Sequence, residues 1–335
     1  MRGGAHQRHR VPAPRARPMT GADAALPRPH ARTPAFGILA VVASAACWGL
    51  ATVLSKDVLH TIAPFTLLAI QLAGSVGFLA VAFLVRGGRL PGVGRGLSLA
   101  WPGLLEPGLA YGVSVPGLAL TSATNATVLS TAEPVLICLL AFLLLGVRTS
   151  AWVLGCSALA ILGVLLVTVF GTGDLGTGDL GAGDPGTGDL RGDVLVFVGT
   201  GFAALYVVAS SRMVAGLPAL TLALLQQALG LLFALGLLAV ALATGWEELK
   251  VPPLGVVLVA VLTGVVQYAM AVWLYLTALR DLPAPVAGGF LALIPVFGVA
   301  GAMLLLGERL APMQMLGCGL VVAAMAAMAA RSGPR

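Results

Sequence analysis

Charge is scarce in this chain: only 10% of its 335 residues are Asp, Glu, Lys or Arg, against about 25% in an ordinary soluble domain. Such a polypeptide has too little polar surface to face water on all sides. Beyond the N-terminal tail His60 is the only histidine, so the His, Asp and Glu clusters of a membrane enzyme are missing. The four cysteines, Cys47, Cys138, Cys156 and Cys318, lie in apolar runs without metal-ligand spacing and read as small packing residues. No P-loop, nucleophile elbow or metal-ligand cluster is present, so ATP-driven work within the chain and cofactor chemistry are not expected. The alternation of apolar and polar residues that marks a membrane β-barrel is also absent.

What fills the chain instead is apolar: 59% of its residues are hydrophobic. Apolar runs occupy roughly 35–55, 63–85, 97–119, 122–145, 151–170, 193–213, 217–244, 253–276, 283–306 and 311–330. Runs of about 20 residues span a bilayer core as helix, and in lipid the backbone must bond internally, which favours helices throughout. The expected fold is an all-α integral membrane protein of about ten transmembrane helices. Residues 1–34 are polar and hold seven arginines against one acid, Asp23. They lack the apolar core of a secretory signal and read as a disordered basic cytoplasmic tail, with Met1 or Met19 as the start. Most of the net charge of +6 sits there, so it does not indicate a nucleic-acid partner.

Loop charge sets the orientation. With the N-terminus cytoplasmic, Arg86, Arg89, Arg95, Arg148, Arg212, Arg280, Arg331 and Arg335 join the tail arginines inside, and only Lys56, Arg191, Lys250 and Arg309 fall outside. Both termini are then cytoplasmic. The longest loop, 171–192, repeats every five residues with Asp174, Asp179, Asp184 and Asp189 in register. It reads as a flexible external Gly/Asp-rich linker between one unit at 35–170 and another at 193–331.

The two units repeat. PVLICLLAFLLLGVR from Pro134 and PVFGVAGAMLLLGER from Pro295 share Pro, Val, three Leu, Gly and Arg at an offset of 161. Thr66 and Gln71 match Thr221 and Gln226 at an offset of 155. An odd number of helices per unit turns the second upside down, a 5+5 inverted-topology repeat, which is a recurring plan of secondary transporters.

Several side chains within the apolar runs could carry chemistry. Glu133 falls near the middle of the fourth run, where an ionisable residue costs about 2.5–3.5 kcal/mol to insert and so faces a cavity or a partner. Pro134 removes a backbone donor beside it, so a loosened turn is expected there. Asn125 lies on the same polar side. Glu106-Pro107 in the third run repeats the pattern, and Glu106 would share a proton site with Glu133 if the two meet. Gln71 and Gln226 serve either a polar solute or interhelical bonding. Trp48, Tyr111, Tyr206, Tyr268 and Tyr275 either line a path for amphipathic or cationic solutes or pack. Trp101 and Trp152 read as interfacial anchors.

The order of short motifs resembles the drug/metabolite transporter superfamily: Trp48-Gly49, Glu133-Pro134-Val135, the stretch from Trp273 to Leu279, Pro295-Val296-Phe297 and the run from Leu304 to Leu310. The chain looks like an EamA-type member over roughly 35–331. The resemblance implies a central cavity lined by helices 1–4 and 6–9, with helices 5 and 10 outside. It also implies movement of a small-molecule substrate across the inner membrane, often outward. Two positions depart from the family pattern: Gly146-Val147 stands for its Gly-Glu pair, and Gln71 for an arginine common in the second helix. The function expected is secondary transport, with proton coupling through Glu133. A nonenzymatic membrane partner or channel-like protein is the alternative, and a membrane enzyme a more distant one.

Overall fold

The computed structural model describes residues 34–59, 61–120, 129–169, 190–214, 217–306 and 312–332. The basic tail, Asn125, most of the Gly/Asp-rich linker and Arg309 lie outside them. Among the described residues the chain is helical, without strands. The elements are α1 (Pro34–Leu59) and α2 (Pro64–Val85), then α3 in three pieces (Val93–Ala100, Leu104–Leu109 and Ala110–Leu120). There follow α4 (Glu133–Leu145), α5 (Ala151–Val169), α6 (Leu190–Met213) and α7 (Ala219–Ala243). Next come α8 in three pieces (Leu254–Gly264, Val265–Met270, Ala271–Ala278) and α9 in three (Ala284–Phe290, Leu293–Gly301, Ala302–Leu306). The last is α10 (Pro312–Ser332). Among the described residues seven helices are long and apolar enough to cross a membrane: α1, α2, α6, α7, α8, α9 and α10.

Prolines set many of the boundaries. Pro64 opens α2 and Pro285 lies in the first turn of α9, where a missing N–H costs nothing. Gly146 closes α4 in the left-handed conformation, φ 67°, a conformation that glycine adopts without strain. Two of the apolar runs break at their Glu-Pro pairs. In α3 Glu106 is extended, φ −142° and ψ 125°, because the residue before a proline is pushed out of the helical region. In the fourth run the chain turns at Thr131 and Ala132, and α4 begins at Glu133. Glu133 therefore stands at the start of a helix rather than in the middle of one. This is the loosened turn beside Glu133 that Pro134 predicts. Helix α6 starts at Leu190, ahead of the expected 193.

The principal packing pairs are α1 with α8 and α9, α2 with α7 and α8, α3 with α6 and α7, α4 with α6 and α9, and α5 with α10. Exchanging α1 for α6, α2 for α7, α3 for α8, α4 for α9 and α5 for α10 returns the same set. The repeat found in the sequence is thus a repeat of contacts. It extends to position along the chain: the kinked piece Leu104–Leu109 and the π-helical piece Val265–Met270 lie at the same offset of 161 that relates Pro134 to Pro295. A π turn carries an extra residue per turn and often marks a functional position in a helix.

Apolar residues lie on the outside as well as within. Leu84, Val85, Leu143, Leu232 and Leu304 are among the most exposed, as a lipid-facing surface requires. Lipid competes with apolar side chains for contact, so association rests on close approach and buried hydrogen bonds. Close approach is visible where α5 meets α10: a Cβ on Gly163 would lie 2.7 Å from the Gly317 carbonyl oxygen, and one on Gly317 would lie 2.5 Å from that of Gly163. The four cysteines are free, with Cys138 and Cys156 buried.

Candidate functional site

Glu106 is held by the extended break in α3, and Glu133 by the first turn of α4. The two carboxylates are within electrostatic reach of each other, and each residue is half-buried. Around them stand all four tyrosines of the chain. Glu106 is within electrostatic reach of Tyr111, Tyr206, Tyr268 and Tyr275, and Glu133 of Tyr111 and Tyr275. Tyr111 of α3 and Tyr268 of α8 meet edge to face with centroids 6.0 Å apart. Trp48 of α1 meets Tyr275 of α8 in the same way at 5.7 Å, a favoured aromatic geometry. Tyr268 and Tyr275 share a face of α8 because seven residues are close to two turns.

Charge at the centre is one-sided. Every Lys or Arg in the described helices lies in a first or last turn, and the other described ones lie in loops. These cations have tasks at the helix ends. Arg212 donates to the Leu144 carbonyl, placing a cation at the C-terminal end of α4, where the helix dipole favours it. Arg86 lies over the Trp273 ring at 4.7 Å and Arg331 over Trp152 at 3.7 Å, so Trp152 joins α5 to α10 beyond any interfacial role. Its Nε1 also donates to the Ala327 carbonyl at 3.2 Å.

Gln71 and Gln226 are buried and occupied by the protein itself. Gln71 Nε2 donates to Ser55 Oγ at 3.0 Å and Thr263 Oγ1 at 3.1 Å. Gln226 Nε2 donates to Ser210 Oγ at 3.1 Å, and its Oε1 accepts from Tyr206 OH at 3.1 Å. The glutamine–serine pair is the same in both repeats, since Ser55 and Ser210 differ by the 155 that separates the glutamines. Beneath each amide a glycine lies against backbone. A Cβ on Gly103 would collide with the Gln226 carbonyl, and one on Gly264 with the Gln71 backbone. The geometry thus places both glutamines as interhelical ties, with Gln226 one hydrogen bond away from the tyrosine cluster. Replacing either with leucine is expected to cost about 0.6–2 kcal/mol, with the double variant losing close to the sum. Thermal unfolding of the purified single and double variants measures this.

Sequence reasoning missed Glu247. It is 8% exposed and caps α2 from the far end of α7. Its carboxylate accepts from Phe65 N at 2.7 Å, Thr66 N at 3.1 Å and Thr66 Oγ1 at 3.0 Å. Nothing local marks it, because the partner is 182 residues away. A cavity of about 410 Å³ opens beside it, lined by Leu59, Thr61, Thr66, Trp246 and Lys250 among others. Glu247→Ala is expected to cost about 1.5–3 kcal/mol, as for a hydrogen-bonded buried carboxylate, with faster hydrogen exchange at Phe65 and Thr66 than elsewhere in α2. Among the described residues no group of three or more His, Cys, Asp or Glu could hold a metal ion.

Comparison with known proteins fits this architecture. A solved crystal structure of a protein 17% identical to this chain aligns with a TM-score of 0.70, covering 88% of this chain and 98% of its own, and at that identity the likeness concerns the fold alone. No curated protein sequence matches. The profile of the EamA-like transporter family matches twice, over residues 35–169 and 190–330. With two copies of the profile across two packed repeats, the chain belongs to the EamA-like transporter family.

Proposed function

We propose that this protein is a secondary transporter that moves small metabolites or drug-like compounds across the cytoplasmic membrane, outward, by alternating access. The observation that carries the reading is the placement of two ionisable residues, Glu106 and Glu133, at broken turns of two apolar runs, within electrostatic reach of each other and of the tyrosines. Ionisable groups are costly at that depth and are kept where they bind or couple. Packing that maps onto itself when the repeats are exchanged supports the mechanism, because two equivalent arrangements about a central site are what a rocking carrier needs.

The topology that goes with this reading has ten transmembrane helices in a 5+5 inverted repeat, with both termini cytoplasmic. The five-helix units lie at 35–170 and 193–331, with the linker 171–192 outside. The shorter apolar helices Glu133–Leu145 and Ala151–Val167, and the broken α3, complete the count. Of the residues proposed at the site, Glu133 and Glu106 carry charge or protons, while Trp48, Tyr111 and Tyr268 contact the solute. Gln71 and Gln226 hold the helices that frame it, and Asn125, proposed for the site from the sequence, lies outside the described residues. Coupling to protons through Glu133 would supply the driving force, and no enzymatic step is involved.

Extracellular metabolite profiling of cells expressing the protein, against an empty vector, tests this. One or more compounds should accumulate outside only when the protein is present. Identical profiles, together with identical uptake of the same compounds, would defeat the reading.

A further inference from the structure

The cavity beside Glu247 lies where helices end, at the junction of α1 with α2 and of α7 with α8. Helices α2, α7 and α8 are long and apolar enough to cross a membrane, so residues just past their ends sit at the level of the lipid headgroups. The side chains there suit that level. Trp246 is held edge to face against Phe65 at 5.3 Å yet is half-exposed, as interfacial tryptophans are. Leu249, Val251 and Leu254 follow it, all exposed, Val251 to 95%. Grouped apolar side chains of this kind face water unless something apolar covers them.

The cavity itself carries both signs of charge. Its charged lining residues are Glu247, Glu248 and Lys250, two acids and one base. The Glu247 carboxylate accepts three hydrogen bonds, from Phe65 and Thr66. A carboxylate has about four acceptor positions, so about one is left. Glu248 and Lys250 lie 3.9 Å apart, with side chains 81% and 78% exposed. So exposed an ion pair is weak, and a ligand with one charge of each sign exchanges for it at little cost. An anion alone would meet an excess of acid, and a cation alone would face Lys250. A zwitterion with N–H donors on its cation matches all three residues. The volume of about 410 Å³ falls within the roughly 300–1,000 Å³ of small-molecule sites.

We infer that this cavity holds the headgroup of an ethanolamine phospholipid from the leaflet at this end of the helices. Its primary ammonium donates to the Glu247 and Glu248 carboxylates, its phosphate pairs with Lys250, and its acyl chains run past Leu249, Val251 and Leu254.

Lipid titration of the full chain in detergent, read by native mass spectrometry, tests it. The probes are dioleoyl phosphatidylethanolamine and dioleoyl phosphatidylcholine, which differ only in methylation of the nitrogen. Methylation keeps the charge and removes the N–H donors, so the first ethanolamine lipid should bind about tenfold tighter than the first choline lipid. Glu248→Gln and Lys250→Gln should each weaken the ethanolamine lipid about threefold. Both side chains are exposed, so neither change endangers the fold. Arg95→Gln, in the first piece of α3, should leave the ethanolamine lipid unchanged. Equal affinity for the two lipids overturns the inference, as does an ethanolamine preference that either Glu248→Gln or Lys250→Gln leaves intact. Soluble phosphoethanolamine, which has the headgroup without the chains, should displace little of the lipid at equal concentration. Displacement as effective as by the lipid itself would make the ligand a soluble zwitterion and remove the lipid.

Discussion

Cells expressing Glu133→Gln are expected to export about ten- to a hundredfold less of the transported compound than cells expressing wild type, at equal membrane levels. The amide keeps the size and polarity of the side chain and removes only its charge and titration. Lost folding would not account for the result. An ionisable group at membrane depth costs about 2.5–3.5 kcal/mol to insert, so the amide should be no less stable, and thermal unfolding should show Glu133→Gln at or above wild type. Activity and stability would then move in opposite directions, as expected where a site is kept for function at some cost in stability. Glu106→Gln should behave alike, because the two carboxylates are within electrostatic reach of each other. Glu133→Asp retains charge and should recover part of the flux. Wild-type export by Glu133→Gln would reduce Glu133 to a structural residue.

The second large effect concerns the paired crossings. Gly103→Ala and Gly264→Ala each drive a methyl into the backbone of the helix opposite, at Gln226 and Gln71. Overpacking against side chains is relieved by rotamer changes, whereas a carbonyl in a helix has nowhere to go. Each variant should lose about 1–3 kcal/mol, shown as a lower unfolding temperature. Gly236→Ala and Gly255→Ala add the same methyl where nothing lies within 4 Å and should gain about 0.5–1 kcal/mol from helix propensity. The signs differ between the two pairs, so a general effect of alanine cannot mimic the result. Equal effects in all four would mean that the crossings are looser than the geometry states.

Much of this was legible in the sequence, for a physical reason. Long apolar runs in lipid have few folded options, and the repeat of Pro134 to Arg148 in Pro295 to Arg309 is direct. The Glu-Pro pairs likewise announce their own broken turns. Other features needed the fold. The kinked piece Leu104–Leu109 and the π piece Val265–Met270 are equivalent in place, yet GLLEPGL and GVVQYAM around them share only the leading Gly103 and Gly264. Glu247 joins elements far apart in the chain, and no periodicity encodes such a partner. The glutamines were ambiguous because an amide suits a solute and a neighbouring helix equally. Only the positions of Ser55, Thr263, Ser210 and Tyr206 decide where those bonds go.

The central claim is that one site opens in turn to each side of the membrane. A single cysteine at Ala132, beside Glu133, in a chain whose four native cysteines are replaced by alanine, tests it most directly. Membrane-impermeant maleimide is applied from the cytoplasmic side or the external side of oriented vesicles. The account predicts labelling from both sides, with saturating substrate or a proton gradient raising one rate while lowering the other. Labelling from one side only, unchanged by substrate and gradient, would contradict it.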